Sequence, residues 1–284
     1  MTLLVLAATA LASPTLSLAS AGEEPRTTLE LTPARGQVET ARLTLALTAR
    51  TKHDGAPVPA TEMPPVALDL RAEVLQVTPT PRYRLTVTGV GTEGDDEALR
   101  EAVAEALQPL LGMTGEITTS RSGIVTAQEW SAVDQVDAAM VDELRKALDV
   151  LAQPLPVDAV GVGASWTVTR PDASGFNVVQ RETWTLVERD SEGVVLHGQI
   201  TQEAELGQPV TEGLPEGATG KLARHLAIGE AKVVLGPGRL LPREVQEGMT
   251  VKYTVDVATD EQTTQMSSIV GHQLSLTTRL GTPE

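Results

Sequence analysis

The chain has 284 residues, a formal net charge of −16 at pH 7 and no cysteine. The lack of cysteine excludes disulfides, thiolate metal sites and a cysteine nucleophile, and the acidic balance makes nucleic acid a poor partner because a polyanion would be repelled. Three Trp, two Tyr and one Phe are the only aromatic residues, so the core must be built mainly from Leu, Val, Ile and Ala.

The N-terminal segment predicts export. An apolar run from Leu3 to Leu18 ends at Ala19-Ser20-Ala21, a small-x-small site, so residues 1–21 are interpreted as a signal peptide that is cut before Gly22. Pro14 and the Ser and Thr residues shorten this run below the ~20 apolar residues that a bilayer-spanning helix needs. We therefore expect no integral membrane span after cleavage, with a retained anchor or a buried segment as alternatives. Without disulfides, the periplasm or the exterior of a bacterium is the expected location.

The remainder of the chain begins with a polar, irregular segment at 22–36, which predicts a disordered leader. Residues 37–284 predict a single domain of two sub-halves that meet near 153–160. Alternation of apolar and polar residues predicts strands over 43–47, 68–74 and 83–87, and a proline-rich loop occupies 52–65. Because each of these strands has one polar face, we expect an antiparallel sheet.

Two helices are predicted next, over 95–111 and 131–152. The first begins with Asp95, Asp96 and Glu97, and the second carries apolar residues at three- and four-residue spacing. A strand over 115–127, bent at Ser122-Gly123, separates them. Further strands are predicted at 165–169, 178–187, 194–202, 222–235, 251–257 and 268–280. This order predicts an α+β fold, with a mainly antiparallel curved sheet or open β-barrel and two helices packed on one face.

The stretch from Pro154 onward carries a resemblance to a known family. Pro154-Leu155-Pro156 precedes Val160-Gly161-Val162-Gly163-Ala164-Ser165-Trp166, and residues 229–235 precede Gly238 and Leu240-Leu241-Pro242. Together with 115–117 and 122–125, these motifs resemble a bacterial family of uncharacterised exported proteins and lipoproteins, which implies export and no specific chemistry. The order of strands and helices is also similar to that of the LolA/LolB-type lipoprotein carriers, an open β-barrel covered by helices. This second likeness is one of architecture and implies no function.

The residues that could indicate an enzyme are better explained as structural features. Gly89-Val90-Gly91-Thr92-Glu93-Gly94 matches the dinucleotide-binding G-x-G-x-x-G, but the preceding strand has a polar face and the next helix begins with acids that would repel a pyrophosphate. A glycine-rich turn before a capped helix is the preferred interpretation. The histidines lack metal-ligand spacing and are interpreted as structural, with His197 and His225 facing solvent and His272 partly buried. We therefore expect no enzyme, no catalytic residue, no metal and no cofactor.

A ligand site is predicted around two tryptophans. Trp166 and Trp184 lie on neighbouring predicted strands, where they either line an apolar cavity or fill the core with Nε1–H bonded to a carbonyl. Together with Tyr253, Met140 and Leu144 they are the candidate binding residues for a lipid or another apolar small molecule. The sequence thus predicts an exported, non-enzymatic binding or scaffold protein. An interaction module for another envelope protein and an enzyme of unrecognised type are the alternatives.

Overall fold

The computed structural model of the chain describes residues 14–59, 63–93, 96–131, 144, 148, 151–172, 177–210, 214, 217–259 and 262–281. The strands are β1 (Thr15–Ser20), β2 (Val38–His53), β3 (Ala56–Pro57), β4 (Val66–Gln76), β5 (Arg82–Thr92), β6 (Thr114–Thr119), β7 (Val125–Trp130), β8 (Ser165–Asp172), β9 (Val178–Asp190), β10 (Gly193–Ala204), β11 (Pro209–Val210), β12 (Thr219–Leu235), β13 (Glu244–Ala258) and β14 (Thr263–Leu280). The α-helix α1 is Glu97–Leu107, and the 3₁₀ turn Gln108–Leu110 follows it.

All the strands belong to one sheet in which neighbours run antiparallel, in the order β1-β8-β9-β10-β12-β13-β14-β2-β4-β5-β6-β7. The short strands β3 and β11 add to β2 and β12. The sheet is open, with β1 and β7 at its two ends, so the predicted mainly antiparallel sheet is confirmed. The C-terminal strand β14 joins the two sub-halves, because it pairs with β2 from Met266–His53 to Leu280–Glu39.

The prediction of two helices on one face is not matched. Among the described residues, α1 is the only α-helix whose bounds are defined; it has 11 residues, and none of them is fully buried. Asp96 caps it by accepting a hydrogen bond from the backbone N–H of Leu99 at 3.0 Å, as the acidic start suggested. Most of the second predicted helix, 131–152, lies outside the described residues. Leu144 and Leu148 within it are helical and buried in the core.

The main core lies on one face of the sheet and takes residues from the strands on both sides of the β14–β2 pair. Leu70 and Leu85 from β4 and β5 belong to the same buried cluster as Trp166, Leu186 and Val233 from β8, β9 and β12. Their strands show the alternation that the sequence displays, with buried residues separated by exposed ones. A smaller cluster of Val210, Leu222, Val255 and Val257 lies apart from the main core.

Two local predictions are wrong. The segment predicted as one bent strand over 115–127 is the hairpin β6–β7, because the turn at Gly123, whose φ is +78°, reverses the chain. The glycines predicted as a turn before the helix begin inside β5, where Gly89 pairs with Asp69 of β4. That antiparallel setting also differs from the βαβ unit in which the dinucleotide motif works.

Residues 22–36, which we predicted as a disordered leader, make regular contacts with the domain. Thr27 and Val160 form a β-bridge, and Leu29 is buried in the main core. Arg189 reaches this segment, donating hydrogen bonds of 2.8 Å to Oγ1 of Thr27 and to the carbonyl of Val160. Burial lowers the pKa of Arg189 below its ordinary value.

Candidate functional site

The two tryptophans fill the core. Trp166 and Trp184 are neighbours across β8 and β9, and 0% and 3% of their surfaces are exposed. Trp166 Nε1–H donates to the carbonyl of Pro154 at 3.1 Å, and Trp184 Nε1–H donates to Oε2 of Glu182 at 3.1 Å. Each polar group therefore has a partner inside the protein, as a structural tryptophan requires. This arrangement matches the core-filling interpretation of the pair.

The other predicted binding residues are not brought together with both tryptophans. Leu144 is buried in the main core with them, whereas Tyr253 is half-buried against the smaller cluster. Met140 lies outside the described residues. The five residues therefore do not form one described site, and their role in binding an apolar ligand stays a prediction.

A buried polar cluster sits beside the tryptophans on the core face of the sheet. Glu182, whose side chain is 6% exposed, forms an ion pair with Arg170, with 2.9 Å between its Oε1 and the arginine Nε. Gln180 Nε2 also donates to Glu182, at 2.9 Å, and Gln202 Nε2 donates to Gln180, at 3.0 Å. Because its oxygens are occupied by these donors and by Trp184, Glu182 is best explained as a structural acceptor.

The opposite face of the sheet carries a broad open cleft of about 1330 Å³. It extends across β9, β10, β12, β13, β14 and β2 and is limited on the β4–β5 side by Pro65 and Glu93. Strand pairing aligns its side chains in two rows that run across the strands. One row is Thr185–His197–Lys232–Gln246–Ser275–Thr44, and the next is Thr183–Gln199–Glu230–Gly248–Gln273–Ala46.

Hydroxyl and amide side chains make up more than half of the residues in these two rows. The described lining includes no Trp, Tyr or Phe side chain. Its Lys232 forms an ion pair with Glu244, which lies just beyond the cleft, with 3.9 Å between Nζ and Oε1. Threonine, serine and glutamine both donate and accept hydrogen bonds without titrating near neutral pH. The two rows therefore offer both donors and acceptors to a polar ligand.

Gly248 forms the open centre of the second row. A Cβ added at this position would have no other atom within 4 Å, so the space above it is free. Its neighbours along the row, Glu230 and Gln273, both carry long side chains. The missing side chain therefore leaves a gap in the middle of the cleft, into which a ligand group can enter.

A smaller cleft of about 290 Å³ lies between β2, β13 and β14. His272, one of its lining residues, is half-buried as predicted, and its Nε2 lies 3.1 Å from Oε1 of Glu247.

His225, which lies outside both clefts, is also half-buried, in contrast to the prediction, because a bulge between Leu222 and Arg224 reverses the alternation of β12. In the described residues, no three His, Cys, Asp or Glu side chains group as a metal site.

The cleft was absent from the sequence-based candidates. Its residues are the polar half of each alternating strand, and such residues normally face bulk solvent. The one available signal was the density of Thr and Gln in β9, β10 and β14, which is too common on exposed sheet faces to mark a site.

Among the described residues, no helix is long and apolar enough to cross a membrane. No protein-family model matches the chain, and neither does any curated protein.

Proposed function

We propose that this chain is an exported, non-enzymatic binding protein of the bacterial envelope that holds an extended polypeptide segment in the cleft on the polar face of its sheet. The observation that carries the proposal is the pair of hydroxyl and amide rows across β9, β10, β12, β13, β14 and β2. Such side chains can exchange hydrogen bonds with both the N–H and the C=O groups of a peptide. The packing of Trp166 and Trp184 supports a polar ligand outside the core over an apolar ligand within it.

A polypeptide suits the lining better than the other polar polymers do. Sugars and bases bind preferentially to aromatic platforms, which the described lining lacks. The cleft offers instead Ile228 and Ala46, small apolar surfaces for aliphatic side chains, beside the hydrogen-bonding rows. Glu93, Glu230 and Glu247 outnumber Lys232 in the described lining, so a basic segment is favoured over an acidic one.

The test is selection of peptides on the immobilised protein from a displayed library of random linear peptides. We expect enrichment of binders that retain affinity for the isolated protein. The variant Gly248→Trp should weaken them at least tenfold, because the indole would occupy the free space in the cleft while leaving the core face untouched. The matched control Ala127→Trp places the same side chain on the exposed surface of β7, outside the cleft, and should bind normally.

Three results would contradict the proposal. A library that yields no binders would exclude a polypeptide as the ligand. Peptides that still bind the Gly248→Trp variant would place the interaction outside the cleft. A stoichiometric lipid in organic extracts of the purified protein, measured by mass spectrometry, would favour the apolar ligand expected from the sequence.

A further inference from the structure

The N-terminal strand β1 closes one end of the sheet. It pairs with β8 from Thr15–Thr169 to Ser20–Ser165, which places Leu16 and Leu18 opposite Val168 and Trp166. Both leucines are half-buried and pack against the main core. The alternation is that of an edge strand with one face on the core, so residues 15–20 contribute to the folded domain as other strands do.

The residues that follow β1 are held equally closely. The carbonyl of Ala21 accepts a hydrogen bond from the N–H of Gly161 at 2.9 Å, and the N–H of Glu23 donates to the carbonyl of Val162 at 2.8 Å. Gly22 lies between them with φ +72°, where an added Cβ would collide with the carbonyl oxygen of Gly161. The peptide bond between Ala21 and Gly22 is therefore an integral part of this contact.

A cut before Gly22 would remove native structure. It would delete β1 and leave the outer backbone groups of β8 without their strand partner, and such an open edge invites pairing with other chains. It would also take the Ala21 acceptor from Gly161 and place a charged α-amino group at Gly22, which is only half exposed.

We infer that the mature protein retains β1, so that any cut by signal peptidase falls before Thr15 and not before Gly22. This inference depends on the export that we propose above. A small-x-small sequence also occurs upstream of β1, at Ala10-Leu11-Ala12, and a cut there would leave β1 intact.

The experiment is to recover the full chain from the envelope of bacteria that make it, with a C-terminal tag, and to determine its N-terminus by intact mass and N-terminal sequencing. We expect the mature chain to retain residues 15–21. Ala21→Phe, which places a bulky side chain directly before the cut predicted from the sequence, should leave the N-terminus unchanged.

The outcomes separate the inference from the proposed export. A mature chain that begins at Gly22, or one whose processing is blocked by Ala21→Phe, overturns the inference and leaves export standing. An uncut chain that stays in the cytoplasm overturns the proposed export, on which the inference depends. The binding experiment with Gly248→Trp does not depend on either result, because it uses purified protein.

Discussion

Arg239 and Glu39 form an ion pair inside the protein. The arginine Nε lies 3.1 Å from Oε2 of a carboxylate whose side chain is fully buried. Glu39 also accepts hydrogen bonds from the backbone N–H groups of Leu240 and Leu241, at 2.7 and 3.4 Å, and from Nε2 of Gln37, at 2.7 Å. One carboxylate of β2 thus fixes the segment that connects β12 to β13.

Replacing Glu39 by Ala should lower the free energy of unfolding by about 3–5 kcal/mol, because it leaves a mostly buried guanidinium and two backbone donors without their acceptor. Urea unfolding followed by circular dichroism measures this change. Glu116→Gln is the control: Glu116 pairs with Arg84 at 2.9 Å, but both side chains are about 40% exposed or more, so the loss should stay below about 1 kcal/mol. Equal losses for both variants would contradict the role of Glu39.

Trp166→Phe should destabilise the domain by about 2–4 kcal/mol. The smaller ring leaves a cavity in the main core, and the buried carbonyl of Pro154 loses its donor. Trp130→Phe provides the comparison, since Trp130 is half-buried on β7 and its Nε1–H donates to its neighbour Gln128. We expect Trp130→Phe to cost about 1 kcal/mol. Thermal unfolding distinguishes the two, and a milder effect at Trp166 than at Trp130 would contradict the core assignment.

Gly198 and Gly248 should respond in opposite ways to alanine. A Cβ at Gly198 would lie 2.8 Å from the ring of Trp184, which is fixed in the core, so Gly198→Ala should cost about 1–3 kcal/mol. At Gly248 the space is open and strand conformation suits alanine, so Gly248→Ala should be neutral or stabilise by about 0.5 kcal/mol. Denaturant midpoints of the two variants test this, and a destabilising Gly248→Ala would show that the cleft is not open there.

Leu18→Ala should lower the free energy of unfolding by about 1–2 kcal/mol, because Leu18 is half-buried against the core beside Trp166. Ser17→Ala, on the exposed side of the same strand, should change it by less than about 0.5 kcal/mol. Both variants are measured by urea unfolding of the protein as recovered from cells. Indistinguishable stabilities for the two would mean that β1 does not belong to the mature domain.

Much of the sheet follows from local alternation. Strands such as β4 and β13 were predicted because their apolar residues fall on one face, and this face is the buried one in the structure. His225 shows where this reasoning fails, since a bulge at Leu222–Arg224 shifts the pattern by one residue and turns the histidine towards the core face. The bulge depends on how β12 pairs with β13, and the order of apolar and polar residues in β12 alone does not reveal it.

The N-terminus and the cleft could not be predicted for a different reason. Residues 15–20 fit two patterns at once, an alternating strand and the end of an apolar signal, and only the pairing with β8 distinguishes them. The cleft depends on the register of several strands, which places Gly248 between Glu230 and Gln273. Such information lies in the arrangement of distant segments, which single-sequence periodicity does not contain.

The pairing of β14 with β2 has a consequence for how the protein folds during synthesis. β2 ends at His53 and β14 begins at Thr263, so the seam between the two parts of the sheet closes only after β14 has been synthesised. Pairing across such a distance is slow, because the entropy of closing a very long loop must be overcome before contacts form. A nascent chain that lacks β14 therefore leaves β2 and β13 without a strand partner between them, a delay that would suit the export we propose.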